Sequence, residues 1–398
     1  MRTVQETLRI ITTKALSLSK EKISILNSTN RVLAENIYAN VDVPSFNQSA
    51  VDGFAIASDN YSPDKEFLII GEIKAGDSKV KYFSTKMTQS NSVIKIYTGA
   101  LVPNEYDAVI MKEYAQENNG IVKFSMGSIK SHQNIRHKGE EVKKGELIFQ
   151  KYTLIRPEHI AVLASLGKKQ VSVLKKPEVK IIATGNELKK ITISSLLPGE
   201  KYETNGLMLQ HLLKKYFDID AEYSIVRDKK SAIYQQMNKA IQKHDIVITT
   251  GGVSVGDYDY TKEIIKKLGF KILIDKVAQK PGKPFVFAVK DKKVIFGLPG
   301  NPRAALSCFY WYIVRYLLKS MRQELDWINP VVQVKLHQDI VINDNKTRFL
   351  FAQVGNNNDL FIPEKQDSHM LISAAKCNAL VAIEKSFKEG ETVNAYLL

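Results

Sequence analysis

Residues 245–259, DIVITTGGVSVGDYD, decide the fold. An apolar run from Ile246 to Thr249 leads directly into a loop of glycines and carboxylates, and a helix is expected to begin near Tyr260. A short buried strand followed by a glycine-rich turn and a helix is typical of an α/β domain with a parallel sheet. Ligands bind beyond the carboxyl ends of the strands in such sheets, so the loop is also the first candidate for a site.

The residues around this stretch repeat the pattern. Between residues 179 and 320, apolar strands alternate with amphipathic helices, for example a strand at 179–183 and a helix at 205–216. This alternation predicts a doubly wound α/β domain with a mostly parallel sheet. The most apolar stretch, 304–318, is shorter than the roughly 20 residues that a bilayer requires, so it is predicted to be a buried core helix.

Other segments predict further modules. Short apolar runs separated by turn residues between 67 and 150, among them 108–111 and 121–124, indicate a β-rich insert. Alternation after Pro330 indicates a second, barrel-like β domain. The segments flanking the insert are helical in pattern, and Thr3 and Glu6 have the spacing of a capping box. The predicted fold class is therefore α/β and multidomain, with four parts: a discontinuous helical domain (1–44 and 147–177), a β-rich insert (45–146), a doubly wound α/β domain (178–328) and a C-terminal β domain (329–398).

The charge balance favours small anionic ligands over nucleic acid. The 398 residues carry a formal net charge of +15, but the lysines occur in ones and twos between acidic residues. A nucleic-acid surface would favour clustered basic residues. Cys308 and Cys377 form no CxxC pair, which argues against a zinc site and for a reducing compartment. The charged N-terminus does not resemble a secretory signal, so we expect a cytoplasmic protein with no membrane partner.

The loop after the 246–249 strand has the composition of an anion and cation site. Gly251, Gly252 and Gly256 allow backbone amides to approach an anion, and Ser254 adds a hydroxyl donor. Asp257 and Asp259 are suited to a hard cation such as Mg²⁺ that bridges protein and phosphate. The alternative is a polar turn that only changes the direction of the chain.

Four more candidate segments lie in the same domain. The segment KVAQKPGKP at 276–284 places three lysines around a Pro-Gly turn, where each is a point charge for an oxyanion or is part of a solvated basic loop. In GLPGNP at 297–302, Pro302 occupies a first helical turn and Asn301 is placed to cap it. ATGNEL at 183–188 presents Glu187, and Arg227-Asp228 is either part of the site or a surface ion pair.

Two segments outside the α/β domain carry further candidates. PSFNQSAVDGFA at 44–55 contains Asp52, and TGALVP at 98–103 begins with Thr98. Each could equally be an ordinary turn. The sequence contains neither a GxxxxGK[S/T] phosphate-binding loop nor an HExxH zinc motif, which argues against P-loop phosphotransferases and zincin proteases.

Taken together and in this order, the motifs resemble the MoeA family, which includes the E domain of gephyrin. The resemblance also covers GEIKAG at 71–76 and QNIRHKGEEV at 133–142, and it extends over nearly the whole chain. It implies a four-domain, elongated homodimer whose active site lies between the α/β domain of one subunit and the β insert of the other. The family takes adenylylated molybdopterin and molybdate, inserts molybdenum at the dithiolene and releases AMP with the help of Mg²⁺. Transient contacts with molybdopterin adenylyltransferase and with acceptor molybdoenzymes are implied as well.

The family's functional positions carry over residue by residue. The catalytic positions implied here are Asp52, Thr98, Glu187, Asp228, Asp259, Lys276 and Lys280. Asp257, Asp259 and Glu187 are implied as metal ligands. The substrate-binding positions are Gly251, Gly252, Ser254, Gly256, Gly282, Lys283, Pro299, Gly300, Asn301, Pro302 and Arg227.

The chain departs from the family pattern at four positions: Glu141, Asn186, Glu203 and Arg303. Glu141 and Glu203 replace a customary Asp, and Arg303 stands where a small residue is frequent. Two other functions remain open at this stage. One is an adenylyltransferase built on the same α/β module, although such relatives lack the insert and the terminal β domain. The other is a non-catalytic scaffold, which the retained acids and lysines disfavour.

Overall fold

The computed structural model describes residues 1–83, 91–252, 260–324 and 329–398. The chain divides into two units. The first, here called the α/β unit, comprises Met1–Glu21, Asn30–Val32 and Ser172–Leu398. The second, here called the insert unit, comprises Lys22–Thr29 and Leu33–Val171.

The chain begins with helix α1 (Val4–Thr13), followed by strand β1 (Lys20–Ser24). The predicted capping box of α1 is confirmed, since the Thr3 side chain accepts from the Glu6 amide at 3.1 Å and the Glu6 carboxylate accepts from the Thr3 amide at 2.9 Å. These reciprocal bonds satisfy two amide groups that a helix start leaves without partners.

The described residues of the insert unit form mainly short strands and one α-helix. Its elements are β2 (Ile37–Tyr38), β3 (Gln48–Ser49), β4 (Gly53–Ile56), β5 (Glu66–Ile73), β6 (Lys81–Tyr82), β7 (Ser92–Ile96), β8 (Ala108–Met111), β9 (Ala115–Asn118), β10 (Ile121–Phe124), β11 (Ile135–Arg136), β12 (Leu147–Phe149) and α2 (Pro157–Ser165). Seven strands form one sheet in the order β8-β4-β7-β5-β10-β9, with β6 paired to β5. The predicted β-rich insert is confirmed.

A packed aromatic cluster holds one face of this sheet. The rings of Phe54 and Phe67 lie 5.5 and 5.6 Å from that of Phe124, and all three side chains are buried. Gly53 is required at the start of β4, because a Cβ there would lie 1.9 Å from the carbonyl oxygen of Ile110 on β8. The strands can therefore pair closely beside Asp52.

The segments flanking the insert are only partly helical. Each contains one helix, α1 or α2, as the pattern indicated, and Pro157 occupies the first turn of α2. They also contain the short strands β1, β2 and β12, and β13 (Gln170–Leu174) follows α2. Strands of two or three residues, such as β2 and β12, are too short to show the alternation of apolar and polar residues by which a strand is recognised in a sequence.

The α/β unit alternates strands and helices as predicted. Its next elements are β14 (Val179–Thr184), β15 (Leu188–Lys189), β16 (Lys201–Tyr202), α3 (Asn205–Phe217), β17 (Glu222–Val226), α4 (Lys230–Lys243), β18 (Ile246–Thr250), α5 (Thr261–Lys267), β19 (Lys271–Lys276), β20 (Gln279–Lys280), β21 (Pro284–Lys290), β22 (Lys293–Leu298), α6 (Pro302–Cys308) and α7 (Val314–Ser320). The main sheet has the order β17-β14-β18-β22-β21-β19. Strands β17, β14, β18 and β22 are parallel, and the pairings of β21 are antiparallel.

Apolar side chains fill the space between this sheet and its helices. Ile182 and Val247 from central strands pack with Ile233 of α4 and Ile265 of α5, and all are buried. The predicted core helix spans α6 and α7, which are joined by a π-helical turn at Phe309–Ile313. Its residues are almost all buried. No helix within the described ranges is long and apolar enough to span a membrane.

The C-terminal domain is a closed β-barrel. Its elements are β23 (Val331–Leu336), β24 (Thr347–Val354), β25 (Asp359–Phe361), α8 (Leu371–Ala375), β26 (Ala379–Ile383) and β27 (Thr392–Leu397). The order β24-β25-β23-β27-β26 closes because β26 also pairs with β24. The short strand β20 of the α/β domain adds to this sheet in parallel beside β24. Closure removes free strand edges.

Candidate functional site

A cavity of about 500 Å³ lies at the carboxyl edge of the main sheet. Strands β14 and β18 are neighbours in the sheet. The next strand of this sheet after β14 in the chain, β17, lies toward one edge of the sheet, and the next after β18, β19, lies toward the other edge. The ends of β14 and β18 therefore form the crevice at which α/β sheets bind ligands. The cavity is lined by Thr184, Glu187, Leu188, Lys201, Tyr202, Glu203, Thr204, Asn205, Asp228, Thr250, Gly251, Gly252, Gly300, Asn301, Pro302 and His369. The loop ends predicted to form a site therefore meet in one place.

Three carboxylates line this cavity. Glu203 accepts from the amides of Gly206 at 2.7 Å and Leu207 at 3.4 Å, at the start of α3, whereas Glu187 and Asp228 accept no backbone amide there. Burial raises the pKa of Asp228, and the negative charge of Glu187 raises it further. Like charges at short range disfavour the ionised form unless a cation lies between them. Lys201 Nζ lies 3.0 Å from Glu187 Oε1, and the Asp228 amide donates to the Asn186 side chain at 3.1 Å. Asn186, a departure from the family pattern, thus fixes the backbone that carries Asp228.

The carboxylates fit part of a Mg²⁺ site. Mg²⁺ in proteins is often bound by one or two carboxylates, with water and substrate phosphate completing its shell. The described residues contain no group of three or more metal-ligating side chains. Asp257 and Asp259, the other two predicted ligands, lie outside the described residues, as do Ser254 and Gly256. Among the described residues, Glu187 and Asp228 are the lining carboxylates best placed for a cation, because Glu203 is already bonded to the backbone amides at the start of α3.

Gly251 and Gly252 adopt backbone conformations that other residues rarely take. Gly251 has φ +85°, and a Cβ there would lie 2.6 Å from the carbonyl oxygen of Thr184. Gly252 has φ +63°, and its Cβ would meet Thr261 Oγ1 at 2.6 Å. Glycine leaves this part of the wall free of side chains, so a ligand can approach the backbone.

The GLPGNP segment supplies another part of the wall. Gly300, Asn301 and Pro302 line the cavity, while Pro299 is buried and is not among the lining residues. Pro302 begins α6 as predicted. The predicted capping role of the Asn301 side chain is wrong: its amide instead donates to Ser368 Oγ at 2.7 Å. The Asn301 side chain therefore bonds to Ser368 of the C-terminal domain and not to the first amides of α6.

The lysines predicted to bind oxyanions lie on the same side of the sheet but do not line this cavity. Lys276 ends β19 and is half-buried, while Lys280 and Lys283 are exposed. None of the three forms a salt bridge within the described part of the chain. Gly282 is buried, and a Cβ there would lie 2.9 Å from Cys308 Sγ, so its small size serves packing. Arg227 is exposed and lies outside the wall that contains Asp228.

Asp52 and Thr98 form a separate site in the insert unit. β4 pairs antiparallel with β7 and β8, so the residues flanking these strands meet at one edge of the sheet. The Thr98 amide and hydroxyl both donate to Asp52 Oδ1 at 2.9 Å, and Lys112 Nζ lies 3.4 Å from Oδ2. The Thr98 bonds, followed by the Lys112 charge, lower the pKa of Asp52. A cavity of about 230 Å³ opens beside Asp52, Lys95, Tyr97 and Lys112.

Sequence reasoning missed several cavity residues. Lys201 lies in none of the motifs, and an isolated lysine beside a turn is common on any protein surface. Asn205 begins α3 and donates to the Gly300 carbonyl at 2.8 Å, an interaction that joins segments 95 residues apart. His369 comes from a loop of the barrel and had no sequence signal.

Three family regions match the chain in order. They are the MoeA N-terminal region (domain I and II) at residues 2–167, a probable molybdopterin binding domain at 180–319 and the MoeA C-terminal region (domain IV) at 333–398. Together they account for nearly all residues.

Relatives and solved structures agree with these matches. A molybdopterin molybdenumtransferase of Staphylococcus aureus is 35% identical, with 99% of this chain and 95% of that protein aligned. The corresponding protein of Staphylococcus epidermidis is 34% identical over the same shares. A crystal structure of the molybdopterin biosynthesis MoeA protein from Pyrococcus horikoshii is 26% identical, has a TM-score of 0.85 and covers 99% of this chain and 98% of its own. The order of the three regions, the similarity along the whole chain and the shared architecture together place this chain in the MoeA family.

Proposed function

We propose that this chain is a Mg²⁺-dependent molybdopterin molybdenumtransferase, which takes adenylylated molybdopterin and molybdate, places molybdenum at the dithiolene and releases AMP. The name carried by relatives that align over almost the full chain supports this activity. The observation that carries the proposal is the meeting of Glu187 and Asp228 in a cavity at the carboxyl edge of the α/β sheet.

The carboxylates of Glu187 and Asp228 would hold the Mg²⁺, with Asp257 and Asp259 proposed as additional ligands. When bound, the ion would supply positive charge to the phosphate oxygens from which AMP departs. Burial, together with the nearby charge of Glu187, raises the pKa of Asp228, and this supports the assignment because a bound cation would stabilise the ionised carboxylate. Lys201, 3.0 Å from Glu187, orients that carboxylate.

The substrate is proposed to lie against the glycine-lined part of the wall. The backbones of Gly251, Gly252 and Gly300 allow a phosphate to approach closely, with Asn301 and Pro302 beside them. Ser254, Gly256, Gly282, Lys283, Pro299 and Arg227 complete the proposed substrate-binding set.

Positive charge for molybdate is assigned to Lys276 and Lys280. Molybdate and the pyrophosphate repel each other at short range, and lysine charges offset that repulsion. Neither lysine is neutralised by a salt bridge within the described residues, which leaves both charges available. Asp52 is proposed as a fixed acceptor, held by Thr98 in its ionised form.

We further propose that the enzyme is a cytoplasmic homodimer that contacts molybdopterin adenylyltransferase and acceptor molybdoenzymes transiently. The free thiols of Cys308 and Cys377 are consistent with a reducing compartment. The family resemblance supports the dimer. Sedimentation at micromolar concentration should give twice the chain mass, and a fully active monomer would contradict it.

The activity is tested by incubating the purified protein with adenylylated molybdopterin and molybdate, with and without Mg²⁺. AMP and active cofactor should both appear, and both should depend on Mg²⁺. If the protein instead forms adenylylated molybdopterin from molybdopterin and ATP, it belongs to the adenylyltransferase reaction and the proposal fails.

A further inference from the structure

Arg303 is a fully buried arginine without a salt bridge in the described part of the chain. It is the second residue of α6, directly after the cavity residues Asn301 and Pro302. Burial lowers its pKa to about 10. Removing a guanidinium from water is costly, and no ion pair offsets the cost here. The hydrogen bonds that the side chain makes must therefore account for its presence.

Those bonds all reach the C-terminal barrel. The guanidinium donates to the carbonyl oxygens of Phe349 and Asp367, each at 3.3 Å, and to the side-chain oxygen of Gln366. The Gln366 amide in turn donates to the carbonyl oxygens of Phe351 at 2.9 Å and Pro363 at 3.0 Å. Gln366 is thus anchored to strand β24 on one side and to Arg303 on the other.

The backbone of the same segment is held at Ser368. The Arg303 amide donates to the Ser368 carbonyl at 3.1 Å, and the Asn301 side chain donates to the Ser368 hydroxyl at 2.7 Å. Three consecutive barrel residues, 366–368, are therefore bonded to the start of α6. The next residue, His369, is exposed and lines the cavity.

His369 has the chemistry to bind an anion. An imidazole N–H donates to phosphate or molybdate oxygens, and its position beside Asn301 and Pro302 places it in the wall where the substrate is proposed to lie. Its position depends on the segment before it, because a loop without such bonds would leave the imidazole free to move away.

We infer that Arg303 is a positioning residue that holds His369 of the barrel in the wall of the substrate cavity, where the imidazole donates a hydrogen bond to an anionic oxygen of the substrate. The inference rests on the proposed function, which assigns this cavity to adenylylated molybdopterin. It assigns to Arg303 a role that the small residue frequent at this position in the family does not supply.

The test compares two arginines. Arg315 is the matched control, since it lies partly buried in the same helical stretch and donates to neutral acceptors, the carbonyl oxygens of Tyr310 and Trp311 at 3.0 and 3.1 Å. Unlike Arg303, it makes no hydrogen bond to residues 366–368 within the described part of the chain. Arg303→Met and Arg315→Met are both made, with His369→Ala and the double variant Arg303→Met/His369→Ala. kcat and KM for adenylylated molybdopterin are measured on protein confirmed to be folded by thermal unfolding.

His369→Ala is expected to raise KM about tenfold, as for one lost hydrogen bond to a charged group, and to change kcat less. Arg303→Met should raise KM to a similar extent, and the double variant should be no worse than either alone, because both changes remove the same contact. Arg303→Lys should recover part of the effect. Arg315→Met should lower the unfolding temperature and leave KM unchanged.

Additive effects of Arg303→Met and His369→Ala, or equal KM values for the two arginine variants, would overturn the inference. Asp228→Asn separates this result from a failure of the proposed function. If Asp228→Asn abolishes AMP release while Arg303→Met leaves KM unchanged, only the positioning role is rejected. If Asp228→Asn has no effect on AMP release, the cavity is not the substrate site and the inference fails with it.

Discussion

The two carboxylate sites differ in how their charge is balanced. In the insert unit, Asp52 accepts two hydrogen bonds from Thr98 and lies 3.4 Å from Lys112, so its pKa is lowered. In the α/β unit, Asp228 is partly buried near a second carboxylate, Glu187, so its pKa is raised. The protein alone satisfies the first site. In the second, Lys201 pairs with Glu187, but Asp228 has no salt bridge within the described residues, so an added cation is expected to favour its ionised form. A carboxylate in a site can thus be held in its ionised form by neighbouring protein groups, or it can depend on a bound cation for that form.

The strongest way to test this comparison is to remove Asp228. Asp228→Asn should reduce Mg²⁺-dependent AMP release by about 10³-fold, because both cation binding and the charge it brings to the phosphates are lost. Without Mg²⁺ the variant should be at least as stable as wild type, because the repulsion from Glu187 is gone. Steady-state kinetics and thermal unfolding measure the two effects.

Glu222→Gln is the matched control for that variant. Glu222 is the first residue of β17, whereas Asp228 follows the last residue of that strand. The Glu222 carboxylate pairs with Lys180 at 3.3 Å. Glu222→Gln should leave AMP release within about twofold of wild type, because the pair of exposed Glu222 and buried Lys180 lies at the amino ends of β17 and β14, away from the cavity. Equal losses of activity in the two variants would contradict the assignment of the cavity.

The lysines provide the next largest effect. Lys280→Ala should raise the molybdate concentration for half-maximal activity or reduce turnover, by about 10²-fold, as for one lost charge-stabilising donor. Lys280→Arg should recover only part, because the guanidinium has a fixed, wider geometry. Molybdate titrations with AMP release as readout decide between these results.

Lys292 is the control for Lys280, since it is exposed in the turn between β21 and β22, at the opposite edge of the sheet. Lys292→Ala should leave the molybdate response unchanged. Equal damage from the two substitutions, or none from either, would mean that the 276–284 segment is only a solvated basic turn.

The local part of the fold was predictable from the sequence, whereas contacts between distant segments were not. The strands at 108–111 and 121–124 were predicted with their observed bounds, because each is a short apolar run between turn residues. The meeting of Glu187, Asp228 and Gly251 followed from the rule that parallel strands end at one edge. Asn301 shows the limit, because its bond to Ser368, 67 residues later, depends on how the barrel packs against α6.

His369 and Gly282 also show that the sequence does not predict contacts between distant segments: the first is a cavity residue outside any motif, and the second is a motif residue outside the cavity. His369 lines the cavity without any motif, and the segment before it is bonded to Asn301 and Arg303, more than 60 residues earlier. Gly282 lies in a motif yet is packed against Cys308 in the interior. A sequence pattern reports local conformation, and which side chains share a wall is decided by tertiary packing.

The two carboxylate sites should also differ, by a smaller effect, in how their substitution changes the unfolding temperature. Asp52→Asn should lower the unfolding temperature slightly in the absence of substrate, because the bonds from Thr98 lose an ionised acceptor and Lys112 loses its partner. Asp228→Asn should not lower it. If both substitutions destabilise equally, Asp228 is as well satisfied by the protein as Asp52, and the comparison fails.

The smallest expected effect is the pH dependence of these differences. The folded pKa of Asp52 lies below its ordinary value of 3.8, so its contribution is fully present above pH 3.8 and is lost as the pH falls through the folded pKa. The folded pKa of Asp228 lies above 3.8, so the folded protein binds its proton more tightly than the unfolded chain does, and wild type loses stability relative to Asp228→Asn as the pH rises from 3.8 through the folded pKa. Denaturant titrations without Mg²⁺ should therefore give difference curves of opposite slope in two adjoining pH ranges. The stability of wild type relative to Asp52→Asn should rise with pH below 3.8, and its stability relative to Asp228→Asn should fall with pH above 3.8. Added Mg²⁺ should offset the loss at Asp228 and leave the Asp52 curve unchanged, because the cation binds the ionised form of the Glu187 and Asp228 pair. Curves of the same slope would contradict the difference between the two sites. A shift by Mg²⁺ at Asp52 alone would show that the uncompensated charge lies in the insert unit.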